Sequence, residues 1–358
     1  MSTLDLPAAI SRSRVQLAFV VVSVASVLLD CLHSAGLTDV TAVEPVDGGM
    51  AALAGIATRR SGPPLFVKSF AGGPADGLFA AEAEGLDVLR ERGALATPQV
   101  VLATRDVLVL SVLRARPARE AFWEQFAHAL ARLHTSTVHD RFGWERDNWL
   151  GRCRQENAWT ADGYEFFAQR RLLRWLPERR VRAALDERDR RALERLCARL
   201  PDVLPPRPAC LTHGDLWANN ILAAEDGRPA LIDPAVSYTW AEVDLAHLWC
   251  SPHPPEAKRF FDVYAELTGL DDDWRARMPF IQLRQHLAVI AQFDHDWGAA
   301  QQARATLKPF RRTGKPRLGQ VPGRVHAPAR ECQTRTSAST PRSMDCRSGS
   351  HSFSRFGA

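Results

Sequence analysis

Three oxygen-bearing side chains in one short stretch could share a single reaction. Leu211-Thr-His-Gly-Asp-Leu-Trp-Ala-Asn-Asn-Ile-Leu222 carries Asp215 and, five residues on, Asn220. Pro229-Ala-Leu-Ile-Asp-Pro-Ala235 then places Asp233 at the end of an apolar strand, entering a turn at Pro234. Phosphoryl transfer asks for this set: one carboxylate to take the proton of the attacking hydroxyl, and an amide oxygen with a second carboxylate to hold the Mg²⁺ that bridges nucleotide phosphates. Asp215 is therefore the candidate base, Asn220 and Asp233 the candidate Mg²⁺ ligands, and ATP the expected donor. Each residue has an ordinary explanation by itself: an Asp in a turn, an Asn as a cap, His213 as a hydrogen-bonded core histidine. The order loop, strand, Asp within nineteen residues gives them joint weight.

The step from Asp215 to Asn220 equals that from Asp to Asn in the kinase catalytic loop, and Asp233 takes the place of the kinase metal-binding Asp. Upstream residues fit the same plan. Lys68 ends a strand and could pair with the α- and β-phosphates, and Glu82 on the following helix could hold it. Glu84 is the fallback partner, on a different helix face. The turn Gly48-Gly49 sits between two strands ahead of Lys68, where a glycine loop would cover phosphates. Ser111, Val112 and Leu113 follow the last strand of the first half, the position of an adenine-contacting hinge.

These residues need a strand-rich half followed by a helix-rich half. Val40, Val43 and Val46, then Leu65-Phe66-Val67-Lys68, read as strands separated by turns. Leu78, Phe79, Glu82, Leu86 and Leu89 recur at helical steps. Residues 98–102 and 107–110 read as two more strands. Phe122, Phe126, Leu130 and Leu133 form a helical stripe. Residues 163–176 and 187–200 read as helices, 209–234 as short strands and turns, and 243–307 as helical again. The expected fold is α+β, a two-lobe protein-kinase-like architecture. Its parts are an N-terminal apolar extension (1–36), an ATP-binding lobe (37–113), a catalytic and substrate lobe (114–310) and a basic tail (311–358).

The +5 net charge is misleading about partners. From Arg311 onward there are ten Lys/Arg against Glu331 and Asp345, so the preceding 310 residues carry −3. No nucleic-acid partner is expected for the folded part, since a binder would carry its basic stripe on the domain. The tail is rich in Arg, Ser, Thr, Pro and Gly, a composition that predicts disorder. Seven cysteines, none in a Cys-x-x-Cys pair, argue against a zinc knuckle or a disulfide framework. That points to a reducing, cytoplasmic setting. The apolar run from Val15 to Leu29 is short for a membrane span, and Asp30 is a poor cleavage site. The expectation is a helix that packs on the body and stops at Gly36, with no membrane partner.

The chain resembles the fructosamine kinase (ketosamine 3-kinase) family, a relative of the aminoglycoside phosphotransferases. The resemblance covers residues 25–307. Its residues are His213-Gly-Asp-Leu-Trp217 with Asn220, Leu231-Ile-Asp-Pro-Ala235, Glu242-Val-Asp-Leu-Ala246, and a block from Phe142-Gly-Trp144 through Asp147-Asn148, Gly151, Gln155, Asn157, Trp159 and Asp162 to Arg171-Leu172. It implies use of ATP and Mg²⁺ to phosphorylate a ketosamine at the sugar O3. The acceptor would be a small molecule or a glycated protein, and the role protein deglycation. Trp217, two residues after Asp215, is the candidate apolar wall for the sugar, and His213 a second candidate substrate contact. The chain departs from the family after Gly48-Gly49, where Met50-Ala-Ala-Leu-Ala-Gly55 replaces polar residues, and at Trp249-Cys250-Ser251. A phosphotransferase for an aminoglycoside or another small alcohol, and an inactive nucleotide-binding protein, remain as alternatives.

Overall fold

The computed structural model describes residues 24–46 and 52–312. The apolar run before residue 24, the Gly48-Gly49 turn and the basic segment after residue 312 lie outside the described residues.

The first lobe is built on strand alternation. Strands β1 (Val40–Val46), β2 (Leu53–Arg59), β3 (Leu65–Ser69), β4 (Val100–Ala103) and β5 (Leu108–Ser111) form one antiparallel sheet in the order β1-β2-β3-β5-β4. Successive side chains of a strand point to opposite faces. Leu65 and Val67 therefore join one cluster with Val109, while Phe66 joins another with Phe70, Leu108 and Leu110. Lys68 shares the face of Phe66. The first cluster is closed by a helix over residues 24–34, α1, which buries Leu28 and Leu32 completely. Each such burial is worth about 2 kcal/mol. The helix ends where Gly36 turns to φ +91° and Leu37 donates back to the Leu32 carbonyl at 3.0 Å, a left-handed stop that suits glycine.

The second cluster is closed by helix α2 (Leu78–Gly93), whose buried residues are Leu78, Phe79, Glu82, Gly85, Leu86, Leu89 and Gly93. Glu82 lies three residues after Phe79 and four before Leu86, so the apolar stripe that docks the helix also carries the carboxylate inward. Gly85 permits close approach: a Cβ there would stand 2.9 Å from Pro234 Cγ.

The second lobe wraps helices around one large core. Helix α3 (Glu120–Ser136) contributes Phe122, Trp123, Phe126, Leu130 and Leu133. Later helices span Glu242–Cys250, Ala257–Thr268, Trp274–Gln292 and Ala299–Leu307. Short antiparallel pairs hold the candidate loops: Cys210–Thr212 with Ser237–Thr239, and Ile221–Ala223 with Pro229–Leu231.

Three results depart from the periodicity reading. Residues 163–176 are not one regular helix. A single α turn (Gly163–Phe166) widens into a π segment (Phe167–Leu172) and tightens into a 3₁₀ turn (Leu173–Trp175). The wide segment includes Arg171, whose guanidinium enters the core, as such bulges often do for inserted side chains. A hairpin, Asn148–Leu150 with Cys153–Gln155, stands where no strand was expected. At the other end, Phe310 is buried edge-on against Phe280, and Arg311 Nε donates to Asp189 Oδ1 at 2.8 Å. Arg311 is thus tied to the body.

The lobes touch beyond their linker. Leu231 N–H donates to the Ala96 carbonyl at 2.9 Å, and just past the linker Arg114 and Ala223 exchange main-chain hydrogen bonds at 2.8 and 3.0 Å. The hairpin tip adds another contact, with Trp149 packed on the first-lobe cluster and Arg152 over the Phe70 ring at 5.2 Å. Among the described residues no helix is long and apolar enough to cross a membrane.

Candidate active site

Lys68 meets two carboxylates. Its Nζ lies 3.0 and 2.9 Å from the two oxygens of Glu82 and 2.9 Å from Asp233 Oδ1. Burial works against all three charges. The ammonium nevertheless keeps its proton, because the two carboxylates facing it outweigh its desolvation. For Asp233 burial pushes upward, but Lys68 more than offsets it and holds the carboxyl below its ordinary range. Glu84 does not compete: it accepts from Trp144 Nε1 and pairs with Arg146.

Asp233 sits at φ +55°, a left-handed conformation costing about 1–2 kcal/mol for a non-glycine residue. Neighbouring bonds hold it there. Ala235 N–H donates to the His213 carbonyl at 2.9 Å, and Ile232 N–H to the Asn220 carbonyl at 3.2 Å. The turn that carries Asp233 and the loop that carries Asp215 are therefore one hydrogen-bonded unit.

Asp244 anchors that loop. Fully buried, it accepts from His213 N–H at 2.8 Å, from Gly214 N–H at 2.9 Å and from His134 Nε2 at 3.2 Å. The other nitrogen of His134 meets Tyr264 OH at 2.6 Å. Burial alone would raise the Asp244 pKa, yet the bonds and charge of His134 and the loop donors hold it below the usual carboxylate range. Gly214, at φ +82°, brings the loop so near the Asp233 turn that a Cβ would lie 2.1 Å from the Ala235 carbonyl oxygen.

His213 is turned inward, away from solvent. Its ring is fully buried, Nδ1 accepts from Asp215 N–H at 3.2 Å, and Nε2 donates to the Ile232 carbonyl at 2.9 Å. Both nitrogens being engaged by main chain, the imidazole braces the loop. Burial lowers its pKa and keeps it neutral. Trp217 remains half-buried. Asn220 donates through Nδ2 to the Asp215 carbonyl at 2.8 Å, which leaves its Oδ1 as the acceptor end.

Asp215 keeps 20% of its side chain exposed. Burial, with Asp233 and Asp244 adding to it, pushes its pKa up to about 7 against the opposing pull of Arg284 and the Gln285 bond. Gln285 Nε2 donates to Oδ1 at 3.0 Å, and His247 Nδ1 lies 3.3 Å from the same oxygen, off the direction of a hydrogen bond. Burial and Arg284 push the His247 pKa down to about 3, so that imidazole is neutral.

Behind these residues runs a buried polar chain. Arg284 donates to Gln155 Oε1 at 3.0 Å, and Gln155 Nε2 to Asn148 Oδ1 at 3.0 Å and the Ala235 carbonyl at 3.2 Å. Asn157 Nδ2 also reaches Asn148 Oδ1, at 3.0 Å, and Arg171 reaches Asn157 Oδ1 at 2.6 Å. The hairpin and the π segment thus support the Asp233 turn from below.

Ser111 ends β5 and exchanges bonds with Gln99 through its own N–H and hydroxyl. Leu113 follows it, half-buried, before the Arg114 contact with Ala223. Sequence reasoning missed Asp244 as the loop anchor, although its motif had been singled out. It also missed Arg284, Gln285 and His247, which no local signal marks.

Known proteins resemble this chain in sequence and fold. The sequence model of the fructosamine kinase family matches residues 25–309. A protein of Enterococcus faecium named "Probable ketoamine kinase" is 31% identical over 236 residues, 62% of this chain and 80% of its own length. A chloroplastic protein-ribulosamine 3-kinase of Oryza sativa subsp. indica is 27% identical over 259 residues, 70% of this chain and 73% of its own. The crystal structure of a candidate fructosamine-3-kinase of Thermobifida fusca superposes with a TM-score of 0.67 at 32% identity, covering 75% of this chain and 94% of that one. An aminoglycoside phosphotransferase solved with ADP and hygromycin B, at 16% identity and a TM-score of 0.54, shares the two-lobe kinase-like fold. With its family model matched across both lobes, the chain belongs to the fructosamine kinase family.

Proposed function

We propose that this chain transfers the γ-phosphoryl group of ATP to the O3 hydroxyl of a ketosamine, the sugar adduct of an amine, and so serves removal of sugar from glycated lysines. The observation that carries the reading is Lys68, a buried ammonium held within 3.0 Å of both Glu82 and Asp233 from opposite lobes. A cation so placed is poised for nucleotide phosphates, and Glu82 keeps it there. Asn220 and Asp233 offer oxygen ligands, the chemistry Mg²⁺ prefers. With Nδ2 spent on the Asp215 carbonyl, Asn220 has only Oδ1 to give. These two residues would hold Mg²⁺, which would neutralise charge on the phosphates.

Asp215 accepts the proton of the acceptor hydroxyl as its oxygen bonds to the γ-phosphorus. The bond from that phosphorus to the β–γ bridging oxygen breaks, and ADP leaves with the electron pair. A carboxyl pushed up to about 7 by burial is a stronger base than an exposed Asp and is still substantially ionised near neutral pH. Trp217, half-buried beside this loop, offers a flat wall to the sugar carbons.

The test is mass spectrometry of products formed from glycated-lysine, aminoglycoside and simple-alcohol panels with Mg·ATP, run beside Asp215→Asn. Phosphate on a ketosamine, with kcat lowered roughly 10²–10⁴-fold in Asp215→Asn and ATP binding intact, is the expected result. Phosphorylation of an aminoglycoside with none on any ketosamine would replace the substrate reading.

A further inference from the structure

The two oxygens of Asp215 are treated differently. Oδ1 accepts from Gln285 Nε2 at 3.0 Å and faces His247 Nδ1 at 3.3 Å. Neither contact takes Oδ2. Gln285 comes from the helix Trp274–Gln292 and His247 from Glu242–Cys250, so the two side chains converge on one oxygen from separate elements.

Packing needs do not account for this pair. A glutamine recruited to fill space normally satisfies both ends of its amide. Gln285 spends its donor on Asp215, while its Oε1 is buried with no partner. His247 is buried as well, and its Nδ1 has no hydrogen bond along its own direction. Both side chains accept an unsatisfied polar atom at the one place where a carboxylate must be aimed.

Aim matters because the terminal torsion of an aspartate is broad and roughly two-fold. An unrestrained carboxylate would present either oxygen, at many angles, to the acceptor. Small misplacements at a reacting centre cost rate out of proportion to their size. We propose that Gln285 and His247 are positioning residues for the phosphoryl-transfer reaction: they hold Oδ1 of Asp215 and so direct Oδ2 to the acceptor hydroxyl, a role that rests on reading Asp215 as the base. Gln285 supplies the hydrogen bond. His247, fixed by its helix, limits rotation from the other side.

The experiment is a double-mutant cycle on the full chain, with fructosyl-lysine and Mg·ATP. Gln285→Met keeps length and removes the donor. The expected result is kcat down about tenfold, with KM for both substrates and the melting temperature nearly unchanged. Gln285→Asn, too short to reach, should behave alike and guards against a folding artefact of the first variant. His247→Leu should also lower kcat, whereas His247→Asn, which keeps an N–H near the Nδ1 position, should retain most of it. In an Asp215→Asn background, Gln285→Met should cost nothing further, because there is no base left to aim. Normal kcat in both Gln285 variants, or the same loss with and without Asp215, would overturn the positioning role. Near-normal turnover in Asp215→Asn alone would instead remove the base assignment, a separate and recognisable failure.

Discussion

Replacing Asp244 by alanine should damage this protein more than any exposed substitution. Three buried donors, His213 N–H, Gly214 N–H and His134 Nε2, would lose their acceptor at once. A stranded buried donor costs about 1–3 kcal/mol. Water entering the small cavity would recover part of this, so the expected loss is about 3–5 kcal/mol, the scale seen when one partner of a buried charged cluster is removed. At about 2–4 °C per kcal/mol for a large domain, the melting temperature should fall by about 6–20 °C in a calorimetric scan. Asp244→Asn keeps the shape and one acceptor but turns an amide donor toward a donor, and should lie between. The pH dependence has a definite sign. The folded-state pKa of Asp244 is depressed, so its stabilisation is complete above the unfolded value and disappears as pH falls through the folded one. Wild type should lose this increment in acid, and Asp244→Asn should have less to lose. A melting temperature within 2 °C of wild type for Asp244→Ala would refute the reasoning, because no arrangement of three orphaned donors is that cheap.

Trp217→Ala should raise KM for a glycated lysine about tenfold while the melting temperature moves little, since the indole is only half-buried; a large drop in melting temperature with normal KM would make it a packing residue. Glu82→Gln should raise KM for Mg·ATP about tenfold and leave that for the acceptor alone, measured by initial rates, because Lys68 would then rest on Asp233 only. Arg311→Met should destabilise the body by about 2 kcal/mol in urea titration by leaving the buried Asp189 without its guanidinium.

The parts of this molecule that were legible in sequence are those whose signal is local. Lys68 stands on an alternating strand, Glu82 on a three-and-four stripe, and Asp215, Asn220 and Asp233 within one short segment. What escaped is non-local or too short to have a period. Gln285 lies 70 residues from Asp215, in a helix where a polar residue next to an apolar one reads as a solvent face. The hairpin at 148–155 has three-residue strands, below the length at which alternation can be recognised. The π segment follows from where Arg171 must go, and that destination is set by Asn157 and Ser237. His213 stands beside the loop of Asp215 in sequence, and its two main-chain partners are seen only in the fold.

The contacts between the lobes have a mechanical consequence. Ala96 with Leu231, the hairpin tip against Phe70, Lys68 with Asp233, and Glu84 with Trp144 and Arg146 tie the lobes at several separate places. Two bodies joined at several separate places lose relative rotations as well as translations. Ser111 to Leu113 then cannot act as a free pivot, and widening the cleft means breaking at least one of these contacts. Cleft breathing in this protein should therefore be stepwise, one contact yielding before the next.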